Sequence, residues 1–319
     1  MDQAAIEPPA RAVGALTAHL ESGLVGHGRL IERLLIGVLA GGHLLVEGAP
    51  GLAKTRAVKW LAQAVDGSFA RIQCTPDLMP SDLTGTPVWR PQDGVFEFVP
   101  GPVFHNLVLV DEVNRAPPKV QSALLEAMAE RQVTSGNATH ALPDPFLVVA
   151  TQNPIEHDGT FPLPEAQLDR FLLHVMLEMP DPATERRILD LVEAETQGTP
   201  PRPARLSLGE LATARSEAMA VHLSPPLRDY IVRLVTATRA APFADEVEHA
   251  VSPRGSLALA AAAKARAWLK GRDYALPEDV ADLAPDALAH RLVLTWRAVA
   301  EGRTPRALVA DVLARVEAL

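Results

Sequence analysis

The sequence predicts an α/β chain in which a parallel sheet is layered between helices and followed by a smaller all-helical domain. Two observations predict it. Five short apolar runs, at residues 43–47, 69–74, 106–110, 146–151 and 171–177, are near-continuous rather than alternating. Strands buried on both faces of a parallel sheet read this way. Helical patterns lie between them, at 31–40 before the first run, 54–65 after it and 119–130 after the third. That alternation is the mark of helices covering a sheet.

Between the second and third runs, residues 84–100 hold Val88-Trp89, a Pro-Gln-Asp-Gly turn and a Val95-to-Phe98 run. They predict an inserted β-hairpin that turns at Gly94. A second hairpin is expected over 132–142, turning at Ser135-Gly136-Asn137. After Leu177 strand signals stop. A Pro-rich connector at 196–204 (TQGTPPRPA) leads into helical patterns at 227–240, 256–269, 277–283 and 304–319. The expected domains are therefore 1–199 and 200–319.

Composition narrows the function classes. The 319 residues carry a net charge of −9, which argues against a broad electrostatic grip on nucleic acid. One cysteine, Cys74, excludes an intramolecular disulfide and a cysteine metal cluster, and its place on the second strand makes it a small core residue. His43, His105, His174 and His290 show no metal-ligand spacing. No apolar stretch approaches the length of a membrane span, so a cytoplasmic protein without a membrane span is expected.

The chemistry begins at Gly48-Ala49-Pro50-Gly51-Leu52-Ala53-Lys54-Thr55, which follows the first strand and opens a helix. In that context backbone N–H groups cradle phosphates, Lys54 neutralises the β- and γ-phosphates and the Thr55 hydroxyl ligates Mg²⁺. Ala53 departs from the usual glycine, and an α-region backbone there is expected to tolerate its Cβ. The third strand ends in Asp111, placed to hold Mg²⁺ at the sheet edge, and Glu112 follows as the group that polarises the attacking water. Asn153, ending the fourth strand, either orients that water and senses the γ-phosphate or forms an Asx-turn before Pro154. Arg170 either reaches a neighbouring subunit's γ-phosphate or forms an ordinary surface pair with Asp169. Arg254 starts a helix of the second domain and could clamp phosphate in cis.

These words, LVEGAPGLAKT, IQCTPDLMPSDLTG (72–85), GPVFHNLVLVDEVNRAPPKVQSALLEAM (101–128), RQVT (131–134), FLVVATQNPIEHDGTFPLPEAQLDRF (146–171) and SPRGSLALAAAAKARA (252–267), run in order over most of the chain. Together they resemble the AAA+ ATPases of the MoxR family, in which Ala at the position of Ala53 is typical. The resemblance implies a P-loop αβα three-layer AAA+ domain with a helical lid, binding ATP and Mg²⁺ and assembled as a homo-oligomeric ring, a hexamer. It implies that Asn153 is sensor 1, Arg254 sensor 2 and Arg170 the trans arginine finger, with Arg115 competing for the last role. Val25 and Gly26 match the turn lining the adenine pocket, and the two hairpins face the pore or the client. The implied activity is ATP-driven remodelling of a protein client, in the family often a von Willebrand factor A-domain protein and sometimes for metal or cofactor insertion. The alternatives are a nucleic-acid motor, which the acidic balance and the hairpin's single base Arg90 oppose, and a nucleotide-dependent scaffold, which the intact Lys54, Asp111 and Glu112 oppose.

Overall fold

Helices α1 (Pro9–Gly23) and α2 (Gly28–Ala40) lead into strand β1 (Leu44–Glu47), and helix α3 (Lys54–Ala64) returns to strand β2 (Phe69–Gln73). This computed structural model describes residues 9–136, 138–154, 159–198 and 205–318. A short helix α4 (Pro80–Thr84) precedes the hairpin β3 (Gly85–Arg90) and β4 (Val95–Pro100), after which come β5 (Leu107–Asp111) and α5 (Pro118–Glu130). The second hairpin, β6 (Gln132–Ser135) and β7 (Ala138–Ala141), is followed by β8 (Leu147–Gln152), α6 (Glu165–Leu168), β9 (Leu173–Met176) and α7 (Pro182–Gln197). The remainder is α8 (Leu208–Ala220), α9 (Pro225–Ala237), β10 (Val247–His249), α10 (Pro253–Leu269), α11 (Pro277–Leu288), β11 (Val293–Leu294), α12 (Trp296–Ala300) and α13 (Pro305–Arg315).

All five expected strands form one sheet in the order β2-β5-β8-β1-β9. β2 pairs with β5 and β5 with β8 in parallel, with Gln73 opposite Asp111 and Leu109 opposite Val149. Every residue of β5 is buried, which is why that run carries no polar alternation. β2 differs because it is an edge strand: only Ile72 is buried, while Arg71 and Gln73 are exposed. Both hairpins form, with Gly94 and Gly136 at positive φ in their turns. Asn137, residues 155–158 of the motif at 146–171 and residues 199–204 of the expected connector lie outside the described residues.

Contacts divide the chain into two units. One comprises Met1–Leu35, Leu45–Pro162 and Met176–Ala214, and the other Ile36–Leu44, Leu163–Val175 and Arg215–Leu319. In the second, the alanine run of α10 is close-packed helix: Ala258, Ala262, Ala263, Ala265 and Ala267 are buried, and α10 packs on α11. A Cβ on Gly255 would stand 2.2 Å from the Val251 side chain, so the helix start tolerates no larger residue there. One departure from the all-helical expectation is the antiparallel pair β10–β11, too short for a sequence pattern to mark. Among the described residues no helix is long and apolar enough to cross a membrane.

Because Leu109 is wholly buried at the centre of the sheet, Leu109→Ala should cost about 2–5 kcal/mol. Urea unfolding of the variant beside the wild type measures it.

Candidate functional site

The loop expected to cradle phosphate runs from the end of β1 to the start of α3, and two of its residues turn left-handed. Gly51 sits at φ +87 and Ala53 at φ 53, ψ 18. The α-region backbone expected for Ala53 is therefore wrong. The residue caps α3 rather than beginning it, and the chain must turn through positive φ to enter the helix. Ala53 offers no side-chain cap, and the N–H groups of the first turn of α3 lie at the mouth of the loop. With the left-handed turns this forms a concavity suited to an anion. The Lys54 ammonium lies over the loop, donating to the carbonyls of Gly48 and Ala49.

Asp111 is buried at the end of β5 and collects donors from three sides. The Thr55 hydroxyl donates to it at 3.1 Å, the Thr151 hydroxyl at 3.2 Å and the Arg71 guanidinium at 2.7 Å. These bonds offset the desolvation of a buried carboxylate. Thr55 and Asp111 thus present adjacent hard oxygens, few in number. That donor set fits Mg²⁺, which keeps waters and phosphate oxygens for its remaining positions.

Glu112 follows at φ 56, ψ 52, and its N–H donates to the Thr151 hydroxyl at 3.0 Å. A non-glycine residue held there costs about 1–2 kcal/mol, a strain concentrated beside functional groups. Its carboxylate accepts from Gln73 at 3.3 Å and from Arg115 at 3.2 Å. Arg115, the second arginine-finger candidate, therefore lies against an acid of its own chain. Asn153 is buried directly after β8, and the Gln152 carbonyl accepts from the Gly48 N–H at 3.3 Å. The loop's first residue and the strand end carrying Asn153 are thereby tied.

Val25 and Gly26 line a cavity of about 250 Å³ whose other wall runs from Met176 to Thr184. Leu177 belongs to that wall and also lies against Gly48, so the cavity adjoins the phosphate loop. Asp181 caps α7, accepting from the N–H and hydroxyl of Thr184 and from the N–H of Ala183, and these bonds hold its carboxyl below the usual range. Arg56, next to Thr55, braces the arrangement. It donates to the Gly23 carbonyl at 3.1 Å, forms a two-pronged pair with Glu195 of α7 and lies over the Trp60 ring.

The other two arginines belong to the second unit. Arg254 reaches Asp169 at 3.5 Å from the first turn of α10, and Arg170 follows Asp169 directly. Burial, with Asp111 and Glu112 nearby, pushes the Cys74 thiol up to about 12, leaving it an inert core group. Sequence reasoning missed Arg71, Gln73, Thr151 and the cavity's second wall. Asp181-Pro182 was a readable helix start for that wall. Arg71 and Gln73 were recognisable only once β2 was known to be an edge strand beside the acids.

Comparison with known proteins places this geometry. Residues 43–173 match the family model described as the ATPase family associated with various cellular activities (AAA), and residues 238–312 match the AAA lid domain. The chain is 47% identical over 300 residues to chaperone MoxR1 of Mycobacterium tuberculosis, covering 92% of this chain and 78% of that one. It is 42% identical over 305 residues to the uncharacterized protein YeaC of Bacillus subtilis, covering 96% and 94%. A solved structure from Cytophaga hutchinsonii, described as a candidate ATPase, superposes with a TM-score of 0.89 at 42% identity, covering 97% and 95%.

Gly26 carries the clearest steric constraint, since its φ is +81 and a Cβ would stand 2.3 Å from Cγ2 of Thr184. Gly26→Ala should cost about 1–3 kcal/mol. Thr184→Ser, which removes that methyl and keeps the hydroxyl bond to Asp181, should recover only the steric part. Thermal unfolding of the single and double variants separates the two contributions.

Proposed function

Because the chain belongs to the MoxR family of AAA+ ATPases, we propose that it hydrolyses ATP to ADP and phosphate and uses the cycle to remodel partner proteins. The observation that carries the reading is the Thr55–Asp111 contact with Glu112 next in the chain. It brings a hydroxyl, a buried carboxylate and a second, solvent-reaching carboxylate to the mouth of a phosphate loop.

Val25, Gly26 and the wall around Leu177 take the adenine, and Gly48 to Lys54 take the phosphates. Thr55 and Asp111 would hold Mg²⁺, which would supply positive charge to offset that of the phosphates. Glu112 accepts a proton from the attacking water as the water oxygen bonds to the γ-phosphorus and the bridging bond to ADP breaks. Its left-handed backbone aims the carboxylate away from β5, and Gln73 and Arg115 hold it until substrate is in place. Asn153 orients the water, and Arg254, in a lid domain covering 200–319, binds phosphate in cis.

Arg170 serves the neighbouring subunit of a cytoplasmic hexameric ring. An arginine supplied in trans is worth roughly 10³–10⁵ in rate, which couples turnover to assembly. A chaperone-named relative supports the remodelling role, as does the β3–β4 hairpin. Trp89 and Phe96 stand there as an exposed aromatic pair with ring centroids 5.1 Å apart, flanked by exposed Val88 and Val95. Contiguous exposed apolar side chains of this kind mark protein contacts. The hairpin's one base, Arg90, is paired to Glu97 at 2.6 Å, which gives no grip on nucleic acid. The client is a protein, such as a von Willebrand factor A-domain partner, and one service is metal or cofactor insertion.

Lys54→Ala should lose ATP binding, whereas Glu112→Gln should bind ATP and turn it over at least about 100-fold more slowly. Equilibrium ATP binding and phosphate release measure the two, and unchanged turnover in Glu112→Gln would sink the mechanism. Arg170→Ala should be inactive alone and partly restored by mixing with Lys54→Ala subunits, whose Arg170 is intact. Phosphate release across mixing ratios tests this, and no recovery at any ratio removes the trans assignment.

A further inference from the structure

Arg170 and Arg254 are organised around one carboxylate. Asp169 accepts from Nε of Arg291 at 2.9 Å, from the Ser252 hydroxyl at 3.3 Å and from Arg254 at 3.5 Å. Ser252 caps α10, and its oxygen accepts from the Arg254 N–H at 3.2 Å. The first turn of the helix bearing Arg254 is therefore docked on Asp169.

Arg291, only 3% exposed in the turn after α11, grips the backbone on both sides of Arg170. It donates to the carbonyls of Asp169 at 3.1 Å, Phe171 at 2.7 Å and Leu172 at 3.5 Å, and also to that of Ala287. Burial pushes this guanidinium below its ordinary range and Asp169 opposes the shift, so the charge is held by its partner. A planar fork with its donors spent on fixed carbonyls leaves the chain at Arg170 little freedom.

Other buried ion pairs of this unit do different work. Asp279, paired with Arg266 and Arg272, caps α11, and Asp286 pairs with Arg306. Among the ion pairs named here, the Asp169–Arg291 pair is the one that bears on both candidate phosphate-reading arginines.

We propose that Asp169 and Arg291 are positioning residues that set Arg170 and Arg254 together, so that the arginine offered to the neighbouring subunit and the one offered to the chain's own nucleotide share one support. This rests on the roles given to those arginines above. Arg254 is 61% exposed and bound at the longest of the distances, so it can leave Asp169 for phosphate while Arg291 keeps the backbone at Arg170 in place.

The test uses the full chain carrying Arg291→Lys, which keeps the charge and loses the fork, and Asp169→Asn, which keeps the size and loses the charge. ATP affinity, turnover, thermal unfolding and mixing with Lys54→Ala are measured beside wild type and Arg170→Ala. Expected are ATP affinity close to wild type, turnover lower by at least about tenfold, and partial recovery on mixing, since a neighbour with a well-held Arg170 serves the variant's intact phosphate loop. Undiminished turnover in either folded variant overturns the proposal, as does a loss that mixing fails to relieve while Arg170→Ala itself is relieved. Failure of the functional reading looks different: wild type releases no phosphate, or Arg170→Ala is fully active.

Discussion

A buried carboxylate at the end of an inner strand must find donors, and Asp111 finds them on three different elements. Thr55 comes from α3, Thr151 from β8 and Arg71 from β2. An ionised carboxylate without them would cost several kcal/mol to bury. Satisfying it locks the phosphate-loop helix onto the C-terminal edge of the sheet. The same requirement shapes its neighbour, because Thr151 bonds Asp111 through its hydroxyl and also receives the Glu112 N–H. Glu112 is thereby held in a left-handed conformation that a free chain would avoid.

Strand order makes this possible. β5 lies beside β8, and β8 beside β1, so the acids, Asn153 and the phosphate loop emerge along one edge. Ligand sites of open α/β sheets form there. Arg71 and Gln73 join them because β2 closes the sheet on the far side of β5 and leaves alternate side chains exposed. In the helical unit a partly buried pair, Asp169 with the buried Arg291, orders a segment in the same way, by spending charge-assisted hydrogen bonds on the backbone around Arg170.

The sheet was legible because fully buried parallel strands leave near-continuous apolar runs, and the five runs match the five strands to within two residues at each end. The places of Lys54 and Thr55 at a helix start and of Asp111, Glu112 and Asn153 at strand ends were legible because a strand–loop–helix word and the strand ends fix where such residues stand. Ala53 was misread: residue type alone does not reveal that the turn into α3 needs positive φ, and alanine tolerates that conformation at a cost. Arg71 and Gln73 were invisible because their role depends on which strand neighbours β5, a long-range pairing that no local pattern carries. The Asp169–Arg291 pair spans 122 positions and joins two residues that look like ordinary surface charges in sequence.

The oxygens of Thr55 and Asp111, with Glu112 beside them, carry the proposed Mg²⁺-dependent hydrolysis of ATP. Phosphate release from ATP by the purified wild-type chain, titrated with Mg²⁺ from none to saturation, tests it most directly. Release should be negligible without the metal and saturate with it, while specific activity should rise with protein concentration as subunits assemble. ATP that binds yet yields no phosphate at any Mg²⁺ or protein concentration would contradict it.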